Sequence, residues 1–205
     1  MRDITALFFD VGGVLLSNGW DRDSRRHCIE SFGLDLAEFD DRHEFVADAF
    51  ETGRMTLDDY LDRTIFYRGR DFTREAFRAG MMAESEPIPD TLSLAAGLAR
   101  SGRYLMATLN NESVEINQMR IDRFDLRSTF SVFFSSGFLG VKKPDREIYR
   151  MALHLTQRRP EECLFIDDRE LNLECARSEG MLTIRYEAPA RLQDELASFG
   201  IYPGE

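Results

Sequence analysis

Polar side chains follow four short apolar runs of this sequence, and their types could hold an anion. They are, in chain order, Asp10 with Gly12 and Gly13, Asn110 with Asn111, Lys142 with Lys143, and Asp167 with Asp168. An ammonium group can neutralise an anion, and an amide can donate a hydrogen bond to it. A single Asp at the end of a strand is most often a helix N-cap or a turn former. Four such positions in one chain favour a shared site.

The two lysines stand out in a chain that otherwise uses arginine. Of its 26 basic residues, 24 are arginine, and Lys142 and Lys143 are the only lysines. They lie close to Gly140, and a compact point charge can enter a tight anion site where a planar guanidinium cannot. A genome rich in arginine codons, with two surface lysines, would give the same pattern. We favour a functional role for one of the two.

The apolar runs indicate the elements that position these residues. We predict strands at residues 4–9, 104–109, 130–134, 163–166 and 181–184. Each run is nearly continuous rather than alternating, which is typical of strands that are covered on both faces. Helical patterns separate most of the runs, so we predict an α/β fold with a parallel sheet. Ligands bind beyond the carboxyl ends of such strands, where these polar residues would gather.

Two segments depart from this alternation. Between residues 17 and 86 apolar side chains recur at helical spacing, no run is typical of a strand, and Thr56 is a predicted N-cap. We therefore predict an all-helical insertion of about four helices at 17–86. The remaining residues, 1–16 and 87–205, would form the α/β core. At the end of the chain we expect residues 200–205 to be a loose tail.

Composition excludes several classes of protein. The 205 residues are 43% hydrophobic, which is enough for a buried core, and carry a formal net charge of −11. A negative field of this size repels phosphate backbones and argues against nucleic-acid binding. Three scattered cysteines fit neither a disulfide framework nor a zinc site, and no apolar run is long enough to cross a membrane. We expect a soluble, cytoplasmic protein whose anionic substrate needs a local positive site or a metal.

Four segments of the chain, in this order, carry a resemblance to a known family. They are Phe8-Phe9-Asp10-Val11-Gly12-Gly13-Val14, Leu109-Asn110-Asn111, Gly140-Val141-Lys142-Lys143-Pro144-Asp145 and Phe165-Ile166-Asp167-Asp168. Together they resemble the motifs of the haloacid dehalogenase-like (HAD) hydrolase superfamily. The resemblance spans residues 4 to about 184. It implies a Rossmann-like α/β core with a helical cap inserted after the first strand, and the helical insertion looks like that cap.

The resemblance also implies a nucleophile and a metal site. Asp10 would attack phosphorus and form an aspartyl-phosphate. Asp10, Asp168 and the backbone carbonyl of Gly12 would hold Mg²⁺, with Asp167 alongside or in its outer shell. Converging carboxylates and other oxygen ligands suit this hard cation. A carboxylate nucleophile divides one difficult displacement into two easier steps.

The remaining motif residues would bind the phosphoryl group and the substrate. By the same resemblance, a lysine would neutralise the phosphoryl group. We assign this role to Lys143 rather than Lys142, because Lys143 directly precedes Pro144, as the family's lysine usually does. Asn110 would donate a hydrogen bond to a phosphoryl oxygen, at a position where the family normally has Ser or Thr. Further candidates for contact with substrate are Gly12, Gly13, Asn111 and Trp20.

The chain departs from the family most clearly at Gly12. The phosphatases of the family usually carry a second Asp there, which protonates the leaving group and then activates water. General acid–base assistance is worth about 10² to 10⁴ in rate. The first motif nevertheless resembles a recognised variant of the family with Gly at this position, some of whose members are regarded as phosphatases.

We therefore predict a Mg²⁺-dependent phosphatase that acts on a small phosphorylated metabolite through Asp10. The alternative is a HAD-like binding or regulatory protein that has little or no turnover, because Gly12 replaces its general acid. A haloacid dehalogenase ranks lower, since its relatives normally have Tyr where Gly12 stands. A phosphorelay receiver domain ranks lower too, since its acid pair comes first along the chain.

Other charged residues weigh less in the sequence. Arg22, Arg25 and Arg26 could meet an anionic substrate, although such a run on a helix is usually a solvated face. The three histidines show no metal-ligand spacing, and we expect core or surface roles for them; they are His27, His43 and His154.

Overall fold

A computed structural model describes residues 3–204 and contains one five-stranded sheet. Its strands are β1 (Ala6–Phe9), β2 (Leu105–Asn110), β3 (Val132–Ser135), β4 (Cys163–Asp167) and β5 (Leu182–Arg185). All four pairings are parallel, and the order across the sheet is β3-β2-β1-β4-β5. The predicted α/β fold with a parallel sheet is confirmed, and each strand begins and ends within two residues of its predicted run.

Ten α-helices surround or extend this sheet in residues 3–204. They are α1 (Arg22–Ser31), α2 (Leu36–Glu51), α3 (Leu57–Thr64), α4 (Arg74–Ala83), α5 (Pro89–Arg100), α6 (Val114–Arg123), α7 (Ser136–Leu139), α8 (Arg146–Thr156), α9 (Glu170–Ser178) and α10 (Pro189–Ser198). Across that same stretch, no helix has the length and apolar character needed to cross a membrane.

Helices cover both faces of the sheet, which explains the continuous apolar runs. Leu7 and Phe9 of β1 lie in one hydrophobic cluster with residues of α5 and α10. Ala6 and Phe8, which point to the other face, lie in a second cluster with residues of α8 and α9. All residues of the central strand β1 are buried against one helical layer or the other, so polar and apolar residues do not alternate along it.

The helices between β1 and α5 have a hydrophobic cluster of their own. Trp20, Phe39, Phe50 and Tyr60 belong to it, and Ile116 of α6 also contributes. The Thr56 side chain accepts a hydrogen bond from the backbone N–H of Asp59 at 3.1 Å, so it is the N-cap of α3 as predicted.

The end of the chain is packed, and the prediction of a loose tail is wrong for residues 200–204. Ile201 is 2% exposed and lies in the same cluster as α5 and α10. The backbone N–H of Gly204 donates to the carbonyl of Gly97 in α5 at 2.9 Å. The backbone N–H groups of Gly200 and Ile201 also donate to carbonyls of α10, so one buried apolar residue and three backbone hydrogen bonds fix this segment. Glu205 lies outside the described residues.

Candidate active site

The chain order reverses beside β1, and the candidate site lies at this point. From β1 the chain adds β2 and β3 on one side, and then β4 and β5 on the other. Asp10 directly follows β1, and Asp167 is the last residue of β4. The backbone N–H of Asp10 donates to the carbonyl of Ile166 at 2.8 Å, which holds the two strand ends side by side. A crevice at such a reversal is where open parallel sheets bind ligands.

Three carboxyl groups meet in this crevice. Asp10, Asp167 and Asp168 each offer one oxygen, and these oxygens lie within 4.8 Å of one another. Within the described residues, the buried Oδ1 of Asp168 has no hydrogen-bond partner. Gly13 borders the group: it has φ +76°, and a Cβ there would lie 2.7 Å from Asp168 Oδ2. Backbone conformation and close approach both require glycine at this position.

A single buried lysine faces two of the three acids. The Nζ of Lys143 lies 3.0 Å from Asp10 Oδ2 and 2.6 Å from Asp167 Oδ2, and Lys143 is 4% exposed. Burial acts to lower the pKa of this ammonium, and the two carboxylates outweigh it, so the pKa is raised and the group stays charged. The Nδ2 of Asn172 also donates to both oxygens of Asp167, at 3.1 and 3.0 Å.

Burial and mutual repulsion raise the pKa values of two of these carboxyl groups. Burial raises the pKa of Asp10 to about 7, against the attraction of Lys143, and the nearby Asp167 raises it further. Burial and Asp167 also raise the pKa of Asp168. The cluster therefore has three acids and one ammonium, which contacts two of them, and a further positive charge would favour their ionised forms. An all-oxygen donor set with an unpartnered buried oxygen is the chemistry that fits Mg²⁺.

Asn111 positions the lysine loop. Its Nδ2 donates to the Lys143 carbonyl at 2.8 Å, and its Oδ1 accepts from the Lys143 N–H at 2.8 Å. The side chain that we expected to contact substrate thus clasps the backbone of Lys143. Asn110 is buried, and one N–H of its amide goes to Asn117 Oδ1 at 3.0 Å. Asn110 is not among the described residues that line the cavity below, so its contact with a phosphoryl oxygen stays a prediction.

The two lysines point to different parts of the molecule. Whereas Lys143 reaches the carboxyl cluster, the Nζ of Lys142 pairs with Glu51 at 3.0 Å and with Asp48 at 3.1 Å, both on α2. Lys142 thereby connects the lysine loop to the helices that follow β1. This is a structural role for the lysine that the sequence ranks second.

A cavity of about 590 Å³ lies between the strand ends and the helices α1 and α2. Asp10, Gly12 and Lys143 line its floor, and Trp20, His43 and Phe50 line the opposite wall. A cavity of this size is within the range of small-molecule sites. Gly12 and Trp20 are therefore at the cavity, as are Asp10, Asn111 and Lys143.

Sequence reasoning missed a buried ion pair on the cavity wall. The Oε2 of Glu112 lies 3.4 Å from Nη1 of Arg120, and both side chains are almost fully buried. Burial raises the pKa of Glu112 to about 7, and Arg120 opposes this rise. The polar run after β2 continues through Glu112 to Ser113, and this continuation could have indicated Glu112 as a further candidate. Arg120 lies two turns along α6 and carries no such signal.

Comparisons with known proteins show the family of the chain. The family model of haloacid dehalogenase-like hydrolases matches residues 4–180. The chain is 28% identical over 201 residues to flavin mononucleotide hydrolase 1, chloroplatic, from Arabidopsis thaliana, covering 98% of this chain and 79% of that protein. It is 27% identical over 213 residues to phosphatase MT3486 from Mycobacterium tuberculosis (strain CDC 1551 / Oshkosh), covering 96% of this chain and 95% of that protein.

A solved structure shows the same fold. The HAD family enzyme BT-2542 from Bacteroides thetaiotaomicron, in complex with magnesium and inorganic phosphate, matches with a TM-score of 0.74. The sequences are 24% identical, and the match covers 90% of this chain and 95% of that one. Given the family match over residues 4–180, the chain belongs to the haloacid dehalogenase-like hydrolases.

Proposed function

We propose that this hydrolase is a Mg²⁺-dependent phosphatase that acts on a small phosphorylated metabolite. The observation that carries the proposal is the contact of Lys143 with both Asp10 and Asp167 beside a third carboxyl group, Asp168. Phosphoryl transfer depends chiefly on positioning and on charge stabilisation, and this cluster supplies both. Relatives named as a phosphatase and as a flavin mononucleotide hydrolase support the same chemistry.

In this proposal Asp10 is the nucleophile. Its Oδ1 accepts a hydrogen bond from the Val11 N–H at 2.7 Å, which fixes the rotation of the carboxylate. A carboxylate oxygen attacks phosphorus, the bond from phosphorus to the leaving oxygen breaks, and the leaving oxygen takes up a proton from water, because Gly12 offers no acid. Water then attacks the aspartyl-phosphate, releasing phosphate and restoring Asp10.

The other residues of the cluster hold charge during these steps. Lys143 neutralises both the nucleophile and the equatorial phosphoryl oxygens, and Asn110 offers its second amide N–H to one of them. Mg²⁺, held by Asp10, Asp168 and the Gly12 carbonyl with Asp167 alongside, would supply further charge neutralisation when bound. The helical segment 17–86 would act as the cap of a HAD core formed by 1–16 and 87–205, closing the cavity over the reacting atoms.

A second candidate function follows from Gly12. Glycine at this position offers no carboxyl group to protonate the leaving group, so the chain could bind a phosphorylated ligand without turning it over. The intact contacts among Asp10, Lys143 and Asp167 favour the phosphatase, because a site that only binds an anion gains nothing from a carboxylate nucleophile.

A screen of phosphorylated metabolites with and without Mg²⁺ tests the proposal. We expect Mg²⁺-dependent phosphate release that Asp10→Asn abolishes, and a phosphoenzyme that is trapped in the parent and is absent in Asp10→Asn. Asp194→Asn removes the same charge from the exposed side of α10 and is the matched control. Binding of ligands with neither phosphate release nor phosphoenzyme would favour the binding protein.

A further inference from the structure

The cavity wall opposite the carboxyl cluster contains a cation without an acidic partner. Three cations that line the cavity are neutralised: Lys143 pairs with Asp10, Lys142 with Glu51, and Arg120 with Glu112. Arg22, Arg25 and Arg169 also line the cavity, and of these Arg25 of α1 is half-buried whereas the other two are exposed. Over the stretch the structure describes, no carboxylate lies within ion-pair distance of Arg25. A cation without a counter-ion beside a cavity favours an anionic ligand.

Arg25 is held in place by one hydrogen bond, and other donors of its guanidinium have no partner in the part of the chain that the structure describes. Its Nη1 donates to the backbone carbonyl of Trp20 at 2.8 Å, which orients the guanidinium. Its Nε is buried and has no partner within residues 3–204. A guanidinium has five N–H donors, and planar carboxylates and phosphates match them in pairs. The half-buried Arg25 therefore retains donors for a ligand.

His43 presents a second donor on the same wall, and its hydrogen-bond partners decide which nitrogen carries the hydrogen. The indole Nε1 of Trp20 can only donate, and it donates to the Tyr60 hydroxyl at 2.9 Å. Tyr60 is fully buried, so its own hydrogen needs an acceptor, and Nδ1 of His43 lies 2.9 Å away. Tyr60 therefore donates to Nδ1, and the ring hydrogen of neutral His43 is on Nε2.

The electrostatic surroundings keep His43 in this neutral form. Burial lowers its pKa to about 4, and the positive charges of Arg25 and Lys142 add to the shift. Phe39 stacks on the ring with a centroid distance of 5.6 Å, which fixes its plane. His43 thus lines the cavity as a rigid donor that carries no charge at neutral pH.

The acids near this wall already have partners. Oδ1 of Asp21 accepts from the first backbone N–H groups of α1, at 3.1 and 3.0 Å, and Glu51 pairs with Lys142. Among the buried and half-buried side chains of this wall, Arg25 and His43 are the donors that remain for a ligand. We propose that these two residues bind a second anionic oxygen group, carried by the leaving group of the substrate away from the phosphoryl group.

The proposal names a substrate class and rests on the proposed phosphatase function. The substrate is a phosphate monoester whose alcohol part carries a carboxylate or a second phosphate. Both groups offer acceptor oxygens and match the donors of Arg25 and His43 that have no partner in the protein. The chain carries a net charge of −11, so a substrate with two anionic groups needs such local donors at both ends of the cavity.

Matched substrate pairs test this class. Phosphatase activity with Mg²⁺ is compared for 4-carboxyphenyl phosphate and phenyl phosphate, for 3-phosphoglycerate and glycerol 3-phosphate, and for fructose 1,6-bisphosphate and fructose 6-phosphate. In at least one pair, we expect kcat/KM to be at least tenfold higher for the doubly anionic member. The pair that responds distinguishes a carboxylate from a second phosphate, and the spacing between its groups reports the span of the cavity.

Variants connect the preference to Arg25. Arg25→Gln should lower the preference at least tenfold, mainly through KM, whereas Arg25→Lys should restore part of it. Arg26→Gln removes a neighbouring, exposed charge that does not line the cavity, and it should leave the preference unchanged. His43→Phe should lower the preference by removing the Nε2 donor. Nitrogen-15 NMR of the parent should show the His43 hydrogen on Nε2.

Two results would overturn the subsite while leaving the phosphatase intact. One is hydrolysis of both members of every pair at equal efficiency, and the other is a preference that Arg25→Gln does not change. A preference for flavin mononucleotide, whose leaving group is uncharged, over all the doubly anionic esters would count against the class as well. If no ester is hydrolysed, calorimetric titration of the same pairs into Asp10→Asn decides. Tighter binding of the anionic member that depends on Arg25 supports the subsite, and equal binding overturns it.

Discussion

Gly12 and Gly13 are neighbours under different constraints. Gly13 has a positive φ, and any Cβ would collide with Asp168, so the backbone demands glycine there. Gly12 has an ordinary φ, and the tightest contact of an added Cβ would be with Oδ1 of the exposed Asn18 side chain, at 3.3 Å, while the Asn18 backbone atoms at 3.4 and 3.7 Å lie at ordinary contact distances. Asn18 can move by the few tenths of an ångström required. The absence of a carboxyl group at position 12 is therefore not imposed by the loop.

This difference makes Gly12→Asp a direct test of the missing general acid. If the site is a phosphatase limited by protonation of the leaving group, the variant should gain activity by at most about 10² to 10⁴-fold. The gain should be larger for alkyl phosphates than for p-nitrophenyl phosphate, whose leaving group needs little protonation. Steady-state kinetics on both substrates measure it.

The control for this variant is Gly12→Asn, which has the same size and no acid. Equal gains in the two variants would point to a change in the loop rather than to acid catalysis. No gain in a folded Gly12→Asp, together with no phosphoenzyme in the parent, would favour the binding protein.

Lys143 should not tolerate arginine. Its Nζ occupies a fully buried position between two carboxylates, where a planar guanidinium lacks room for both contacts. We expect Lys143→Arg to lower kcat by at least about 10²-fold, comparable to the loss of one charge-stabilising donor. Lys142→Arg should keep most of the activity, because arginine can also pair with Glu51 and Asp48. Melting temperatures of both variants establish that they fold, and the reverse order of the two losses would contradict the assignment.

At the scale of elements, the sheet was predictable and the long-range contacts were not. Continuous apolar runs mark strands that are buried on both faces, and their polar ends located Asp10 and Asp167 at one edge. No periodicity connects Trp20, Tyr60 and His43, which come together only when α2 and α3 pack. The packed end of the chain depends on Ile201 and on backbone hydrogen bonds to α10 and α5, whereas its Tyr-Pro-Gly sequence is typical of a turn.

The packing of α2 and α3 makes stability depend on pH through His43. Its pKa is about 4 in the folded protein and near 6.5 when unfolded, so between these values the unfolded state binds more protons. The free energy of unfolding should therefore fall as the pH is lowered from 6.5 to 4. His43 thereby changes the free energy of unfolding by up to about 3 kcal/mol over this pH range, because its pKa is lower in the folded than in the unfolded protein.

Urea denaturation at several pH values measures this dependence. Buried acids such as Asp10 and Glu112, whose pKa values are raised to about 7, act in the opposite direction, so the parent alone is not diagnostic. The difference between parent and His43→Phe isolates the histidine: the variant should lack this loss at low pH, although it is less stable overall because the Tyr60 hydroxyl loses its acceptor. His154→Gln, at an exposed position, should behave as the parent. Parallel pH curves for parent and His43→Phe would contradict the buried, neutral histidine.

At the scale of the whole molecule, the net negative charge opposes binding of the anionic ligand that we propose for the site. The net charge of −11 repels a phosphate ester, and three of the acids lie in the site itself with one ammonium among them. If the proposed function holds, positive charge has to be local: Lys143 at the carboxyl cluster, Arg25 on the opposite wall, and a divalent cation between the acids. These positions would serve the nucleophile, the leaving group and the metal of the proposed phosphatase.

If Asp10, Asp167 and Asp168 hold Mg²⁺, the cation should stabilise the whole fold. A ligand that binds only the folded state at 100 times its Kd adds about 2.7 kcal/mol, which for a chain of this length raises the melting temperature by roughly 5–10 °C. Asp168→Asn should lose most of this increase. Its metal-free form should melt no lower than the parent's, because the substitution removes repulsion from Asp167. Asp194→Asn makes the same charge change far from the cluster and should keep the full increase.

Calorimetry in MgCl₂, against NaCl of equal ionic strength, separates specific binding from general screening of the negative charge. An equal increase in both salts, or in parent and Asp168→Asn alike, would exclude the cluster as the metal site.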